Sequence, residues 1–360
     1  MSIFAVDKDG NRKQIAGVGL PGPVGKSAYQ YAVEGGFTGT EAEFRALLGV
    51  RSNINLLHNS RWDRPKNIIN QRNQNAYNIT GINQYFIDRW IGTYISAVLE
   101  EDGLLITSDR SPTFSMYQRV ENPQAFAGKT VTFSLLCSEA SSVTMAIRGD
   151  IGNGSTNVGG KNLAVDTPGL HTITCVLPEN LVILAPGFLV RAGGRIKPIA
   201  AKLELGSVQT LAHKEGDTWV LNDPPPDLAL ELAKCQRYLQ VLLYGGYDEA
   251  YLGIGGISIA DNKPKISIPF QLKQPMRANP TLITGYMQVN KARIVGRSLS
   301  TYLPDWGAAV ESMSVYTSTK NQILVACKLP DTVTLAANYT YELDALSCPR
   351  GEVLLASAEL

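Results

Sequence analysis

The sequence predicts a mainly β protein: two antiparallel β-sandwich domains joined by a helix, behind a short helical N-terminal segment. Three observations carry this prediction. Apolar and polar residues alternate in short runs across 131–205, with turn signals between the runs. One strong helical period stands out, over 227–243. Beyond Tyr244 the alternation resumes. A chain of 360 residues accommodates two or three domains. The expected divisions are 1–51, 52–212, 213–243 and 244–360.

The N-terminal segment contains GLPGPVGKSAYQYAVEGGF, residues 19–37. Its Gly25-Lys26-Ser27 invites a phosphate-loop reading, which the spacing rejects. The position that must be glycine is Leu20, and Pro21 and Pro23 remove two amide donors from any phosphate cradle. Read in threes, Gly19, Gly22 and Gly25 follow a collagen-like period; a plain Pro/Gly linker fits equally well. Ser27 with Gln30, and Thr40 with Glu43, fit capping boxes, each opening a short apolar run. Gly35-Gly36 and Gly49 sit where helix C-caps prefer glycine, so 27–48 reads as a helical pair. Helices this short need to pack on each other or on other copies of the chain.

Residues 52–83 are rich in Asn and Gln, side chains suited to loops and polar interfaces. The strands follow: Val131, Phe133 and Leu135; Val143, Met145 and Ile147; Ile173 and Cys175; and Ile199 to Leu205. Turns are signalled at Asn122-Pro123, Gly149-Asp150, Gly152-Asn-Gly154 and Thr167-Pro-Gly169. No obvious aromatic platform marks this region.

The stretch from His213 to Pro226 is polar and ends in Pro224-Pro225-Pro226. In the helix behind it, Leu228, Leu232, Cys235, Leu239 and Leu242 are spaced 4, 3, 4, 3, a heptad seam suited to self-association. An amphipathic helix lying on one domain is the alternative. In the last region Ile266, Ile268 and Phe270 alternate, while Pro269, Pro275 and Pro280 argue for edges or strand ends.

The chemistry of enzymes is sparse. His58, His171 and His213 are isolated from one another, so no metal-ligand pair is expected. Glu100-Glu101-Asp102-Gly103 reads as a turn between strands, with Ca²⁺ binding as the alternative. Cys137, Cys175, Cys235, Cys327 and Cys348 are scattered, as buried thiols of a chain made in a cytoplasm would be; a Cys137–Cys175 bridge is the alternative. A net charge of +1 gives no nucleic-acid footprint, and no apolar run has the length of a membrane span. The N-terminus does not read as a signal peptide. No cofactor and no catalysis are expected. Loop aromatics near glycine and proline are the candidates for ligand contact: Tyr247 and Tyr251 in YGGYDEAYLGIGG, Tyr302 and Trp306 in TYLPDWG. Such rings also serve to plug the ends of a sandwich or line a trimer axis.

Several segments together resemble a bacteriophage tail fibre or receptor-binding protein. DKDGNRKQIAGVGLPGPVGKSAYQYAVEGGFTGTEAEFRALLG resembles the virion-attached end of such fibres. NLLHNSRWDRPKNIINQRN, YFIDRW and IAAKLELGSVQTL resemble a carbohydrate-binding-module-like sandwich. NDPPPDLALELAKCQRYLQ resembles the linker helix behind it, and IPFQLKQPMRANPTL with the AEL terminus a terminal β domain. The resemblance implies a homotrimeric, fibre-like assembly, attached to tail or baseplate proteins through 1–51 and located in the virion. It implies a bacterial surface polysaccharide or protein as receptor. A tail-spike glycan depolymerase and a secreted carbohydrate-binding-module protein are the alternatives.

Overall fold

The structure is a computed structural model. It describes residues 3–16, 27–35, 38–41, 44, 53–112, 114–152, 154–245, 256–260, 263–298, 304–333, 335, 339–345, 348–350 and 352–359. The chain divides into two compact units, Met1–Arg51 and Ser52–Leu360.

In the first unit β1 (Ile3–Val6) pairs antiparallel with β2 (Arg12–Ala16), and α1 (Ala28–Glu34) follows. The capping box is present: Gln30 N–H donates to the Ser27 hydroxyl, and Ser27 N–H donates to the Gln30 side-chain oxygen. Tyr29 and Phe44 pack with ring centroids 5.7 Å apart. The triplets Gly19–Gly25, Lys26 and most of the second helical segment lie outside the described residues.

The second unit begins with a ten-stranded antiparallel sheet. Its strands are β3 (Ala76–Ile79), β4 (Gln84–Tyr85), β5 (Ile91–Gly92), β6 (Ile95–Glu100), β7 (Gly103–Thr107), β8 (Met116–Tyr117), β9 (Thr130–Asp150), β10 (Ser155–Val165), β11 (Gly169–Val176) and β12 (Ile183–Leu205). Neighbours run β3-β6-β7-β12-β8-β5-β4; β9 lies along the other side of β12 and carries β10 and β11. The runs expected as separate strands at 131–135 and 143–147 belong to one strand of 21 residues. Ser142 takes a left-handed φ of 56° within it, and the register against β12 shifts between Val190 and Arg195. Irregularities of this kind bend a long strand without ending it. Pro198 sits at a further register shift on β12, where its missing amide is tolerated. The inward residues, Val131, Phe133, Leu135, Met145, Ile147, Leu184, Phe188 and Leu203 among them, build a core with Trp62 and Trp90. Those two indoles meet edge-on at 4.9 Å.

After the hairpin of β13 (Ala212–Glu215) and β14 (Thr218–Leu221) comes α2 (Leu228–Gln236). Asp227 caps it, accepting from the Ala229 and Leu230 amides. The helix expected over 227–243 therefore stops at Gln236, and the heptad seam does not exist as one helical stripe. Leu239 and Leu242 lie on β15 (Leu239–Tyr244), which pairs with β24 (Val353–Ser357). Five successive residues of β15 are buried, so both of its faces are covered; a helix would have turned part of that run to water. Leu228, at the other end of the supposed seam, is 41% exposed. Leu232 is half-buried and Cys235 buried.

The remaining strands are β16 (Gly256–Ala260), β17 (Lys263–Gln271), β18 (Thr281–Ile283), β19 (Arg293–Ser298), β20 (Pro304–Ala309), β21 (Ser312–Ser318), β22 (Gln322–Lys328) and β23 (Tyr339–Asp344). They form the sheets β15-β24-β18, β16-β17-β22-β21 and β20-β19-β23 around a second core that includes Ile266, Ile268, Phe270, Val325 and Leu354. Pro269 pairs with Leu324 on β22 and lies beyond Ser267, the last residue that β16 reaches, so one side of it is a sheet edge as expected.

Polar contacts join the two cores. Gln71 Nε2 donates to the Leu239 carbonyl at 2.7 Å, and the Tyr238 hydroxyl donates to Glu121 at 2.6 Å. The Arg89 guanidinium lies 3.5 Å from the Tyr238 ring centroid. Buried Arg72 pairs with Glu359 and stands 4.0 Å from Asp88. Burial, with Asp88 as a like charge nearby, outweighs the pull of Arg72 and pushes the Glu359 carboxyl up to about 6.

Candidate carbohydrate-binding cleft

The side of the large sheet away from the main core carries its own apolar row. Tyr85 pairs with Ile91, Ile91 with Tyr117, Tyr117 with Gly187, and Gly187 with Ala146. Their chain neighbours Phe86, Met116, Phe188 and Met145 point into the main core, so the two-residue period of the strands places the row on the opposite face. Phe114 stacks on Tyr117, with centroids 5.3 Å apart and planes inclined by 24°. Gly187 makes the row possible. A Cβ there would stand 2.2 Å from the Met116 carbonyl oxygen and 2.6 Å from the Tyr117 Cβ.

Polar groups rim this floor. Arg148, two residues along β9 from Ala146, places its guanidinium 5.7 Å from the Phe114 ring centroid. The Tyr117 hydroxyl donates to Asn83 Oδ1 at 2.6 Å, and burial raises that phenol's pKa, keeping it a neutral donor. Asn83 takes a left-handed φ of 54°, and its amide donates to the Thr93 hydroxyl. Together with Tyr94, Arg119 and Asp150 these residues enclose a cleft of about 490 Å³. Asp150 is the one carboxylate on its lining among the described residues. It accepts from the Gly152 and Gly154 amides and so organises its own turn. Phe114 and Tyr117 are buried, at 9% and 7% exposure, and the half-buried Tyr94 presents the more open ring; with amide and guanidinium groups at the edge, this suits a ligand with apolar C–H faces and many hydroxyls.

Tyr247, Tyr251 and Tyr302 lie outside the described residues. Trp306 was expected in a loop; its backbone instead belongs to β20, paired with Gly296 on β19. The Pro304-Asp305 signal that suggested a loop marks the start of that strand. Glu100 and Asp102 do form a turn, between β6 and β7, and both carboxylates receive the Lys197 ammonium, at 2.8 and 2.5 Å. Lys197 thus supplies the positive charge beside these two carboxylates, and no group of three or more His, Cys, Asp or Glu side chains placed to hold a metal occurs among the described residues. His171 bonds the Thr167 carbonyl; His213 bonds Asn222 and Glu215. Burial, reinforced by Arg89, lowers the His58 imidazole to about 4. Cys137 and Cys175 are both free.

No pattern in the sequence singles out Asn83, Tyr94, Phe114 and Tyr117. They come from three short segments that pairing with β12 and β5 assembles. The available signal was the Asn-rich stretch, read as a polar interface, which ends in Asn83.

No family model matches the chain, and no curated protein matches it. Among solved structures it is similar to a family 29 carbohydrate-binding module from Piromyces equi: TM-score 0.23, 9% identity, over 36% of this chain and 89% of that one. It is also similar to the N-terminal CBM22-1-CBM22-2 tandem domain of Paenibacillus barcinonensis Xyn10C: TM-score 0.27, 10% identity, over 86% and 98%. A third likeness is to the PBSX exported protein XepA: TM-score 0.16, 9% identity, over 83% and 93%. At these TM-scores the likenesses carry no argument.

Proposed function

We propose that the protein is a non-enzymatic carbohydrate-recognition protein and that the cleft lined by Tyr94, Phe114 and Tyr117 holds the sugar. The observation that carries this reading is the convergence of Tyr94, Phe114 and Tyr117 with Asn83, Arg119 and Arg148 around one cleft of about 490 Å³. Rings offer flat area to sugar C–H faces at small entropic cost. The amide and guanidinium groups supply directional hydrogen bonds to hydroxyls. Hydrolysis of a glycosidic bond calls for a pair of carboxylates flanking it. The single carboxylate on the described lining is already engaged by two turn amides, which favours binding over cleavage.

The finer reading is a homotrimeric phage tail fibre that adsorbs to a bacterial surface glycan. Its support is the order of the collagen-like triplets, the sandwich segment, the proline-led linker and the AEL terminus. Light scattering of the intact chain should then give three times 39.0 kDa, and a clean monomer would contradict the trimer.

The test of the cleft is a glycan array probed with the full chain, followed by calorimetry on the strongest glycan. Asn83→Ala and Arg148→Ala should each weaken binding about tenfold, the worth of one good polar or charged hydrogen bond. Unchanged affinity in both folded variants would remove the cleft from consideration.

A further inference from the structure

A second depression adjoins the cleft at Tyr94. It holds about 350 Å³, with Ser96, Thr107, Asp109, Arg110 and Arg195 on its walls. Tyr94 lines both.

Two features make Tyr94 more than a partition. Its backbone is left-handed, at φ 50°. For a residue with a large side chain this conformation is strained and persists where surrounding bonds enforce it. Those bonds are present: Tyr94 N–H donates to the Gly81 carbonyl at 3.1 Å, and the Ser108 hydroxyl donates to the Tyr94 carbonyl at 2.7 Å. The strained backbone fixes the ring between the depressions, and the Arg110 guanidinium lies 4.9 Å from its centroid.

The charges around the joined clefts are unbalanced. Arg119 and Arg148 share the lining of the first with Asp150, and Arg110 and Arg195 that of the second with Asp109. Arg195 is tied to Glu139. Arg110 and Arg119 have no carboxylate partner among the described residues, in a chain whose net charge is only +1. Guanidinium groups bind carboxylates through two parallel hydrogen bonds, which makes them suited to an anionic ligand.

We propose that the two clefts form one continuous site for an acidic oligosaccharide, with sugar rings on both sides of Tyr94 and ligand carboxylates facing Arg110 and Arg119. This rests on the carbohydrate reading of the first cleft and adds the ligand's charge and its extended length.

The experiment uses the full chain and calorimetry. The probes are hexasaccharides of galacturonate, hyaluronan and alginate, each beside its carboxyl-reduced neutral twin, with the corresponding monosaccharides. An acidic probe should bind about tenfold or more tightly than its neutral twin, and the advantage should shrink at high salt as screening grows. Arg110→Gln should remove most of that advantage while leaving the neutral twin within about twofold, and Arg119→Gln should weaken the acidic probe by a larger factor than its neutral twin. Tyr94→Asn keeps a residue that tolerates the left-handed backbone and removes the ring. It should weaken the hexasaccharide by a larger factor than the monosaccharide, which loses its contact with the ring on one side only. Equal affinity for acidic and neutral twins, both abolished by Asn83→Ala, would overturn the acidic ligand and leave the carbohydrate reading standing. Full hexasaccharide affinity in Tyr94→Asn would overturn the continuous site. If no array glycan and no probe binds, both readings fall.

Discussion

Gly187→Ala tests how the fold makes the cleft. The added Cβ would lie 2.2 Å from the Met116 carbonyl oxygen and 2.7 Å from the Tyr117 Cα, both backbone atoms. No rotamer change relieves a clash with backbone, so β8 must move away from β12. That short strand is held by two register pairs to β12 and two to β5, so the shift breaks pairing on at least one side. Overpacking of this kind costs about 1–3 kcal/mol. The smaller unfolded-state entropy of alanine returns about 0.4–1 kcal/mol, so a net loss of about 1–2 kcal/mol is expected. Urea unfolding followed by tryptophan fluorescence measures it. Tyr117 carries the stacked Phe114 and the Asn83 bond, so sugar binding should fall about tenfold in the protein that remains folded. Gly216→Ala is the control, with φ +59° and nothing within 4 Å of the added Cβ. It should cost about 1 kcal/mol through backbone strain and leave binding intact. If Gly187→Ala matches the parent in both stability and binding, the pairing of β8 on β12 is wrong, and the aromatic row with it.

Three further outcomes follow from the same contacts. Leu239→Asp places a carboxylate inside the fully buried β15 and should cost several kcal/mol, whereas Leu228→Asp on exposed helix surface should stay within about 0.5 kcal/mol; reversed effects in thermal melts would restore the helical seam. Glu359→Ala leaves Arg72 buried beside Asp88 and should destabilise by about 3–5 kcal/mol, so a neutral result in urea titration would refute the junction. His58 is held neutral down to about 4, against 6.5 ordinarily, so the unfolded chain takes up that proton first. Its contribution is therefore complete above pH 6.5 and is lost as pH falls towards 4, by roughly 3 kcal/mol; a His58→Gln protein should lack that part of the acid sensitivity.

Much of the β architecture was legible because period-two alternation survives in the core-facing residues, as in Val131, Phe133 and Leu135. The capping box at Ser27 was legible for a similar reason: it is a local hydrogen-bond pattern between residues three apart. The end of α2 was not. Leu232, Cys235 and Leu239 keep helical spacing across Arg237 and Tyr238, and only the partner strand Val353–Ser357, more than a hundred residues away, pulls Leu239 into a sheet. The cleft was hidden by the same kind of distance. Tyr85, Tyr117 and Ala146 become neighbours through Ile91 and Gly187, and no local pattern announces a row built from five strands. Trp306 misled because proline and glycine flank it, signals that mark loops and strand ends alike.

A crystal structure of the full chain soaked with the strongest array glycan addresses the central claim most directly. The account predicts sugar density in the cleft, against Tyr94 and within hydrogen-bonding distance of Asn83 and Arg148. Density confined to another surface, with this cleft holding only solvent, would contradict it.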